Sequence, residues 1–321
     1  MTSTRGPVIG VLGEALIDLV ENGDDEPRLA RPGGSPYNVA IGLARLDRHA
    51  AFIGRLSQDP LGTLLRRHAE RSDVDLTLTV PAREPTTVAL VDLSAGIADY
   101  TFGIDGTADF VFTDAELDRV PATVDALHFG SLTSWTPPGD AAVERLVGAL
   151  HGRLPISYDP NVRPRLQTDA RLAREQVERS LAFADLVKTS EEDVAYLYPR
   201  RALDDVAHDW LDRGPSVVVV TRGGDGASGY CAGGGVARPV RSIAMVDTVG
   251  AGDAFMTGLL DGLVARQQLN TDGLAGLTPD GLGELLDDAG WVAAITCARA
   301  GANPPRRAEL DAALRQGLRM S

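Results

Sequence analysis

A short segment near the carboxyl end of the chain combines the parts of an anion site with a candidate base. Gly250, Ala251 and Gly252 are small, so a ligand can approach their backbone closely. The helical pattern that starts at Ala254 leaves its first amides unpaired, which favours a phosphate or a developing oxyanion. Asp253 lies beside them, and a carboxylate there is unfavourable unless it removes a proton from an attacking hydroxyl. Aspartate is also a common helix N-cap, so the segment alone leaves both interpretations open.

A second glycine site lies near the amino end of the chain. Gly33 and Gly34 precede a helix that the pattern predicts to begin near Val39. Asn38 either caps this helix or bonds to the hydroxyls of a small polar ligand. Asp18 follows the first predicted strand, where open parallel sheets bind their ligands. It is either an exposed loop carboxylate or an acceptor for two hydroxyls of a polyol.

A third glycine-rich turn follows the apolar run 217–220. Thr221, Gly223 and Gly226 could hold the phosphates or the ribose of a nucleotide, or could simply form a turn. The turn has neither the P-loop spacing nor the glycine fingerprint of dinucleotide-binding folds. A dinucleotide-dependent oxidoreductase is therefore disfavoured.

Short apolar runs alternate with helical patterns along most of the chain, which predicts a mostly parallel sheet covered on both faces. The predicted strands are 8–12, 51–53, 126–129, 156–158, 186–187 and 217–220, and the predicted helices are 38–45, 61–71, 140–150, 170–184 and 203–213.

Two segments interrupt this alternation, at about 14–30 and 86–104. They are predicted to form strands without an intervening helix and to pair in a small antiparallel sheet. A sheet this small is better suited to cover a cleft than a large core. We expect one domain spanning residues 1–321, with these strands as its lid.

Composition limits the classes of function. The 321 residues are 44% hydrophobic, which is ample for a large α/β core. The formal net charge of −14 disfavours nonspecific nucleic-acid binding, and no apolar run is long enough for a membrane span. The chain has two cysteines and five histidines, and the histidines lack metal-ligand spacing. We therefore expect a cytoplasmic protein without a disulfide framework or a zinc site.

The two glycine motifs together resemble the signatures of the ribokinase-like, or phosphofructokinase-B-type, sugar kinases. Residues 33–38 match the amino-terminal motif, residues 247–255 match the carboxyl-terminal motif, and residues 54–62 fit the segment that follows the first. The resemblance covers essentially the whole chain. Within the family, residues 13–18 and 159–163 look most like bacterial fructokinases.

The resemblance implies a role for each motif residue. Asp253 would be the base that deprotonates the sugar hydroxyl, and ATP would supply the phosphoryl group with Mg²⁺ and a monovalent cation such as K⁺ as further cofactors. Arg163 would reach the sugar or the γ-phosphate, the alternative being a surface guanidinium. The remaining implied sites are Gly250, Ala251 and Gly252 for the anion hole, Asp18, Gly33, Gly34 and Asn38 for the sugar, Thr221, Gly223, Gly226 and Gly252 for ATP, and Asp193 for the metal.

Three features depart from the family pattern, and the third, Arg222 after Thr221, has no consequence attached to it. Where the family usually has Asn-x-x-Glu near the magnesium site, this chain has Ser190 and Asp193. Many fructokinase-like and ketodeoxygluconate kinases carry an arginine in the lid, and Ile104 occupies that position here. Loss of that guanidinium weakens the case for a substrate that bears a carboxylate.

The sequence thus predicts an ATP-dependent kinase for a neutral sugar, with fructose first and a homodimer through the lid as a further expectation. The alternatives are a kinase for ribose, a nucleoside or 2-keto-3-deoxygluconate, and a non-catalytic relative that only binds sugar. Retention of Asp253 beside intact small residues argues against the non-catalytic alternative.

Overall fold

The computed structural model describes residues 6–21, 27–92, 99–241 and 243–317. Its strands are β1 (Val8–Leu12), β2 (Leu16–Val20), β3 (Leu29–Gly33), β4 (His49–Ile53), β5 (Arg55–Ser57), β6 (Val80–Ala82), β7 (Val88–Asp92), β8 (Asp99–Gly103), β9 (Ala126–Gly130), β10 (Ile156–Asp159), β11 (Leu186–Ser190), β12 (Val217–Thr221), β13 (Ala227–Cys231) and β14 (Gly234–Arg238). Its helices are α1 (Ser35–Arg45), α2 (Pro60–Glu70), α3 (Asp114–Leu117), α4 (Asp140–Leu150), α5 (Ala170–Leu181), α6 (Glu191–Leu197), α7 (Leu203–Leu211), α8 (Ala251–Ala265), α9 (Thr271–Ala275), α10 (Pro279–Cys297) and α11 (Arg307–Gly317).

The main sheet has the strand order β14-β13-β12-β11-β10-β9-β1-β4. The six strands from β12 to β4 are parallel, and β13 and β14 complete the sheet as an antiparallel edge. Each strand predicted from an apolar run lies within this sheet. The mostly parallel α/β architecture expected from the sequence is confirmed.

Helices cover both faces of the main sheet, and β12 shows why its sequence is a continuous apolar run. Val217 and Val219 belong to one buried cluster, and Val218 and Val220 belong to the other. Successive side chains of a strand point to opposite faces, so a strand buried on both sides needs no polar position. In the described residues no helix is both long and apolar enough to cross a membrane.

The longest helix, α10, is not predicted by the sequence pattern. It contains Gly281, Gly283 and Gly290, and glycine is a poor helix former in an interior position. Buried residues such as Leu285 and Leu286 join the same apolar cluster as Leu259 and Leu260 of α8. Tertiary packing against α8 therefore outweighs local propensity.

A small sheet with the order β3-β2-β7-β8 lies within the two segments expected to form the lid. Its β2–β3 and β7–β8 pairs are antiparallel, and β2 pairs with β7 in parallel. Residues 22–26 and 93–98 of the two segments lie outside the described residues. Leu16 and Ala89 of this sheet pack with Phe110, Leu132 and Trp135, which anchors the lid on the rest of the protein.

Helices α1 and α8 approach each other closely at Gly42. A Cβ atom at Gly42 would lie 2.5 Å from the Oγ1 atom of Thr257, so only glycine allows this spacing. The contact brings the first turn of α1 beside the first turn of α8. The two glycine motifs, which are far apart in the sequence, therefore meet at one place.

Candidate active site

Asp253 lies where α1 and α8 meet. Its Oδ1 atom accepts a hydrogen bond of 2.7 Å from the Ser35 hydroxyl, and its Oδ2 atom accepts one of 2.8 Å from the Asn38 amide. Burial raises the pKa of Asp253, while the bonds from Asn38 and Ser35 and the charge of Lys188 oppose this rise. The N-cap of α8 is Gly250, so helix capping does not account for Asp253. A half-buried carboxylate with a raised pKa is suited to accept a proton.

The loop before α8 is held by Asp247. Its carboxylate accepts hydrogen bonds from the amides of Val249, at 3.0 Å, and Gly301, at 2.7 Å. Gly250 has a φ of 76°, in the left-handed region, and a Cβ atom there would lie 2.6 Å from the Cβ atom of Ala302. Glycine is thus required at this position for both conformational and steric reasons.

The first turn of α8 presents free amide donors. The Ala251 amide already donates to the carbonyl of Thr248, at 3.1 Å. Within the part of the chain that the structure describes, the amides of Gly252 and Asp253 have no backbone acceptor. These two N–H groups at a helix N-terminus are the donors that an anion would meet.

Asp18 of β2 lies diagonally across from Gly33 of β3, since their register partners are Arg31 and Leu16. A Cβ atom at Gly33 would lie 2.4 Å from the Oδ2 atom of Asp18, so glycine leaves room for the carboxylate. Burial raises the pKa of Asp18 to about 7, and the charge of Asp253 adds to the rise while Arg163 and Arg31 oppose it. Asp18 is therefore a half-buried carboxyl group near Asp253 and not an exposed loop residue.

The structure separates the two interpretations of Asn38. Helix α1 begins at Ser35 with Gly34 as its N-cap, so Asn38 lies inside the helix. The alternative in which Asn38 caps this helix is wrong, because the Pro36 ring suits the first helical turn and the helix starts earlier than the apolar pattern indicates. The Asn38 amide is instead used to hold Asp253.

Arg163 lies near two acidic groups of the site, Asp18 and Asp193. Its charge opposes the rise in the pKa of Asp18 and of Asp193. The side chain is half-buried, which differs from an ordinary surface guanidinium. Its position suits an anion or a hydroxyl-rich ligand between Asp18 and Asp193.

The glycine-rich turn after β12 lies at the carboxyl ends of the parallel strands, next to the end of β11. Thr221 pairs in register with Ser190, and its hydroxyl donates to the carbonyl of Thr189 at 3.3 Å. Gly223 has open space where a Cβ atom would lie. Gly226 approaches the Arg238 carbonyl too closely for any side chain, so its glycine has a structural reason of its own.

Hydrogen bonds from neighbouring residues use most of the acceptor capacity of the Asp193 carboxylate. It forms a capping box with Ser190 at the start of α6, and its Oδ1 atom accepts from the Val162 amide at 3.1 Å. Burial and the charge of Asp159 raise the pKa of Asp193 to about 6. Among the described residues, no group of three His, Cys, Asp or Glu side chains is arranged to hold a metal.

The sequence analysis assigns no role to Lys188 or to Asp159, although Asp159 begins the segment 159–163 that looks like bacterial fructokinases. The Lys188 ammonium lies 2.8 Å from the Oδ2 atom of Asp159, and both side chains are at most 5% exposed. A Cβ atom at Gly252 would lie 3.0 Å from the Lys188 Nζ atom. A sequence feature that points to this residue exists, because Lys188 is the single lysine of the chain.

Asp109 connects three of the four chain segments that enter or leave the lid sheet. Its Oδ1 atom accepts from the Ala15 amide at 3.0 Å, and its Oδ2 atom contacts the Thr87 hydroxyl. Thr87 bonds to the Thr107 hydroxyl at 2.8 Å, and Thr107 donates to the carbonyl of Ile104 at 2.9 Å. Burial raises the pKa of Asp109 to about 8. A protonated Asp109 can donate to Thr87 and complete this chain of hydrogen bonds.

Comparisons with known proteins identify the family of the chain. Residues 9–308 match the model of the pfkB family carbohydrate kinases. A fructokinase from Rhizobium leguminosarum bv. trifolii is 35% identical over 80% of this chain and 81% of its own. A fructokinase from Klebsiella pneumoniae is 35% identical over 85% of this chain and 89% of its own.

Solved structures give the same result. The ATP-bound fructokinase from Xylella fastidiosa superposes with a TM-score of 0.88 at 25% identity, covering 97% of this chain and 98% of that one. The fructokinase from Vibrio cholerae O395 with fructose, ADP and calcium has a TM-score of 0.83 at 26% identity, covering 96% and 99%. A double mutant of the Vibrio enzyme with fructose, ADP and potassium has a TM-score of 0.84 at 25% identity, covering 97% and 99%.

The Asp109 network predicts how stability depends on pH. Because the pKa of Asp109 is about 8 in the folded protein and about 3.9 in an unfolded chain, the folded state holds an extra proton between these values. The stabilisation that this proton gives is complete below the pKa of Asp109 in the unfolded chain. It is lost as pH rises through the pKa of Asp109 in the folded protein. We expect Asp109→Asn, whose amide can replace the protonated carboxyl, to raise the free energy of unfolding at pH 8 by about 1 kcal/mol or more.

Urea denaturation of the wild type and the variant at pH 5 and pH 8 measures this difference. Asp114→Asn, on a side chain that is 62% exposed, is the matched control. A loss of stability in Asp109→Asn that is larger at pH 8 than at pH 5 would show that Asp109 is ionised in the folded protein.

Proposed function

The chain belongs to the pfkB family of carbohydrate kinases and is an ATP-dependent sugar kinase, and we propose that its substrate is fructose. The observation that carries the proposal is the pair of hydrogen bonds that holds Asp253 between the sugar-motif helix and the free amides of α8. The fructokinases at 35% identity support fructose as the sugar.

Phosphoryl transfer requires positioning and charge stabilisation more than covalent chemistry by the protein. In the proposed reaction Asp253 takes the proton of a primary hydroxyl of the sugar. The hydroxyl oxygen forms a bond to the γ-phosphorus as the bond between that phosphorus and the oxygen of ADP breaks. The amides of Gly252 and Asp253 stabilise the charge on the transferring group. Asp18 and the backbone at Gly33 and Gly34 hold the other hydroxyls, and Thr221, Gly223 and Gly226 hold the nucleotide.

We also propose that Mg²⁺ and a monovalent cation such as K⁺ assist the reaction. Mg²⁺ usually keeps several waters and binds through one or two carboxylates together with phosphate oxygens. Asp193 is the carboxylate that would reach it through water, because the hydrogen bonds that it accepts from Val162, Thr189 and Ser190 leave one lone pair of Oδ1 available. The ion would neutralise charge on the phosphates of ATP. A potassium ion in the Vibrio structure supports the monovalent cation.

A homodimer through the lid is a further proposal. Leu29 of β3 and Leu90 of β7 are 41% and 42% exposed, which leaves large apolar side chains of the lid open to a partner.

A cytoplasmic location is proposed as well, since ATP is available there and both Cys231 and Cys297 are free.

Asp253→Asn is expected to abolish phosphorylation and to leave fructose binding largely intact. The amide keeps the shape of the side chain but cannot accept the proton, and general bases typically contribute about 10²- to 10⁴-fold. A coupled assay for ADP release gives kcat, and calorimetry gives the Kd for fructose. Asp280→Asn, on the exposed first turn of α10, is the control. A variant that keeps more than about a tenth of the wild-type kcat would exclude Asp253 as the base.

Fructose is expected to close the lid and to slow hydrogen exchange in β2 and β7. Closure would exclude water from the γ-phosphate, which limits wasteful hydrolysis. Exchange mass spectrometry with and without saturating fructose tests this, with β12 as the internal reference. Equal protection of both lid strands in the two states would remove the lid from the mechanism.

The lid also predicts a preference for a neutral substrate. Ile104 packs against the apolar cluster around Leu16 and Ala89, where many relatives carry a guanidinium. Arg31 and Arg163 lie near Asp18 and are already needed to balance its charge. We expect kcat/KM for fructose to exceed that for 2-keto-3-deoxygluconate by up to about 10⁴-fold, since an unpaired carboxylate in the pocket is costly.

Rates for both compounds, with ribose and a nucleoside in the same panel, measure this preference. Ile104→Arg should narrow the difference by improving the acid, and Arg145→Met, which removes an exposed cation, is the control. A wild-type preference for the acid would contradict the fructokinase assignment.

A further inference from the structure

The chain uses lysine only once. Of its 31 lysine and arginine residues, Lys188 is the single lysine. The two side chains differ chemically, because an ammonium is a compact point charge and a guanidinium is a broad planar fork. Lys188 therefore places a compact cation at this one position of the chain.

Lys188 lies next to the first turn of α8, whose free amides face an anion. A Cβ atom at Gly252 would be 3.0 Å from its Nζ atom, so the ammonium is next to the amides that face an anion. Its charge also acts on Asp253 and opposes the rise in the pKa of that carboxyl group that burial causes. The cation is therefore close both to the candidate base and to the amides of the anion hole.

Asp159, the last residue of β10, holds Lys188 in this position. Its Oδ2 atom is 2.8 Å from the Nζ atom, and its side chain is 3% exposed. Its Oδ1 atom is buried and has no hydrogen-bond partner among the described residues. Removing two charges from water often costs more than their attraction returns, so stability alone is a weak reason for such a pair.

The ammonium keeps its proton at neutral pH. Burial by itself would lower the pKa of Lys188, but the attraction of Asp159, Asp253 and Asp193 outweighs burial and raises it. The negative charges of three carboxylates thus act on one protonated lysine. A phosphoryl group that enters this site needs that cation, because the carboxylates would otherwise repel it.

We propose that Lys188 is a further catalytic residue, whose ammonium donates a hydrogen bond to an oxygen of the transferring γ-phosphoryl group, and that Asp159 is the positioning residue that aims it. The inference rests on the kinase activity and not on which sugar is used. The lysine keeps its protons throughout, since the hydroxyl proton goes to Asp253 and the bond to ADP breaks with its electron pair on the leaving oxygen.

The single lysine allows a direct measurement. Protein labelled with ¹⁵N-lysine has one side-chain Nζ resonance, which is assigned without further work. We expect a β,γ-imido analogue of ATP to shift this resonance and ADP, which lacks the γ-phosphoryl group, to leave it nearly unchanged. Equal shifts with both nucleotides, or none with either, would overturn the proposal. This arm needs no sugar, so it is independent of the fructose assignment.

Substitutions supply the functional test. We expect Lys188→Met to lower kcat by about 10²- to 10³-fold and to weaken binding of the imido analogue, with the Kd for ADP within about threefold of the wild type. Lys188→Arg, which keeps the charge but not the compact shape, should recover part of this loss. Asp159→Asn should reduce the analogue-induced shift of the Nζ resonance while ADP binding is retained.

Lys188→Met leaves Asp159 buried without its partner and can fail to fold for that reason. The double variant with Lys188→Met and Asp159→Asn removes both charges and supplies the same measurements on a folded protein. A purely structural ion pair predicts that ADP and the analogue weaken together, or that kcat in the folded double variant stays within about threefold of the wild type. If fructose proves not to be the substrate, kcat is measured with the sugar that the panel identifies.

Discussion

The organisation of the active site depends on the two hydrogen bonds that Asp253 accepts from Ser35 and Asn38. They join residues more than 200 positions apart in the sequence and fix the proposed base, Asp253, relative to the amino-terminal glycine motif. Without these donors, burial would favour the protonated carboxyl, which cannot act as a base. The close contact of Gly42 with Thr257 holds the two helices at the spacing that the bonds require.

Local charge balance matters more here than the net charge of the chain. Asp159, Asp193 and Asp253 all act on Lys188, so the interior of the site is acidic before any nucleotide arrives. In the proposed site, free amides, a helix N-terminus and Lys188 are concentrated where the charge of an anionic substrate would lie. The formal charge of −14 is thus compatible with ATP as substrate, although it disfavours binding to nucleic acid.

The sequence predicts features that depend on neighbouring residues and fails where the fold brings distant ones together. The run 217–220 identifies a strand buried on both faces because all its positions are apolar. The pattern does not predict α10, whose glycines are offset by packing on α8, and it places the start of α1 too late. Lys188 and Asp159 lie in separate strands, and only the pairing of β10 with β11 places them side by side. No motif spacing encodes that contact.

The lid and the base are coupled by repulsion between carboxyl groups. Asp18 is on the lid strand β2, and the charge of Asp253 helps to raise the pKa of Asp18 to about 7. The proposed closure of the lid would therefore cost free energy as long as both groups are ionised and only water lies between them. A polyol that donates hydroxyls to both carboxylates replaces that water and offsets the repulsion. In the proposed mechanism, binding of the sugar therefore makes the closed arrangement favourable, and the site closes around Asp253 only when the hydroxyl that Asp253 would deprotonate is present.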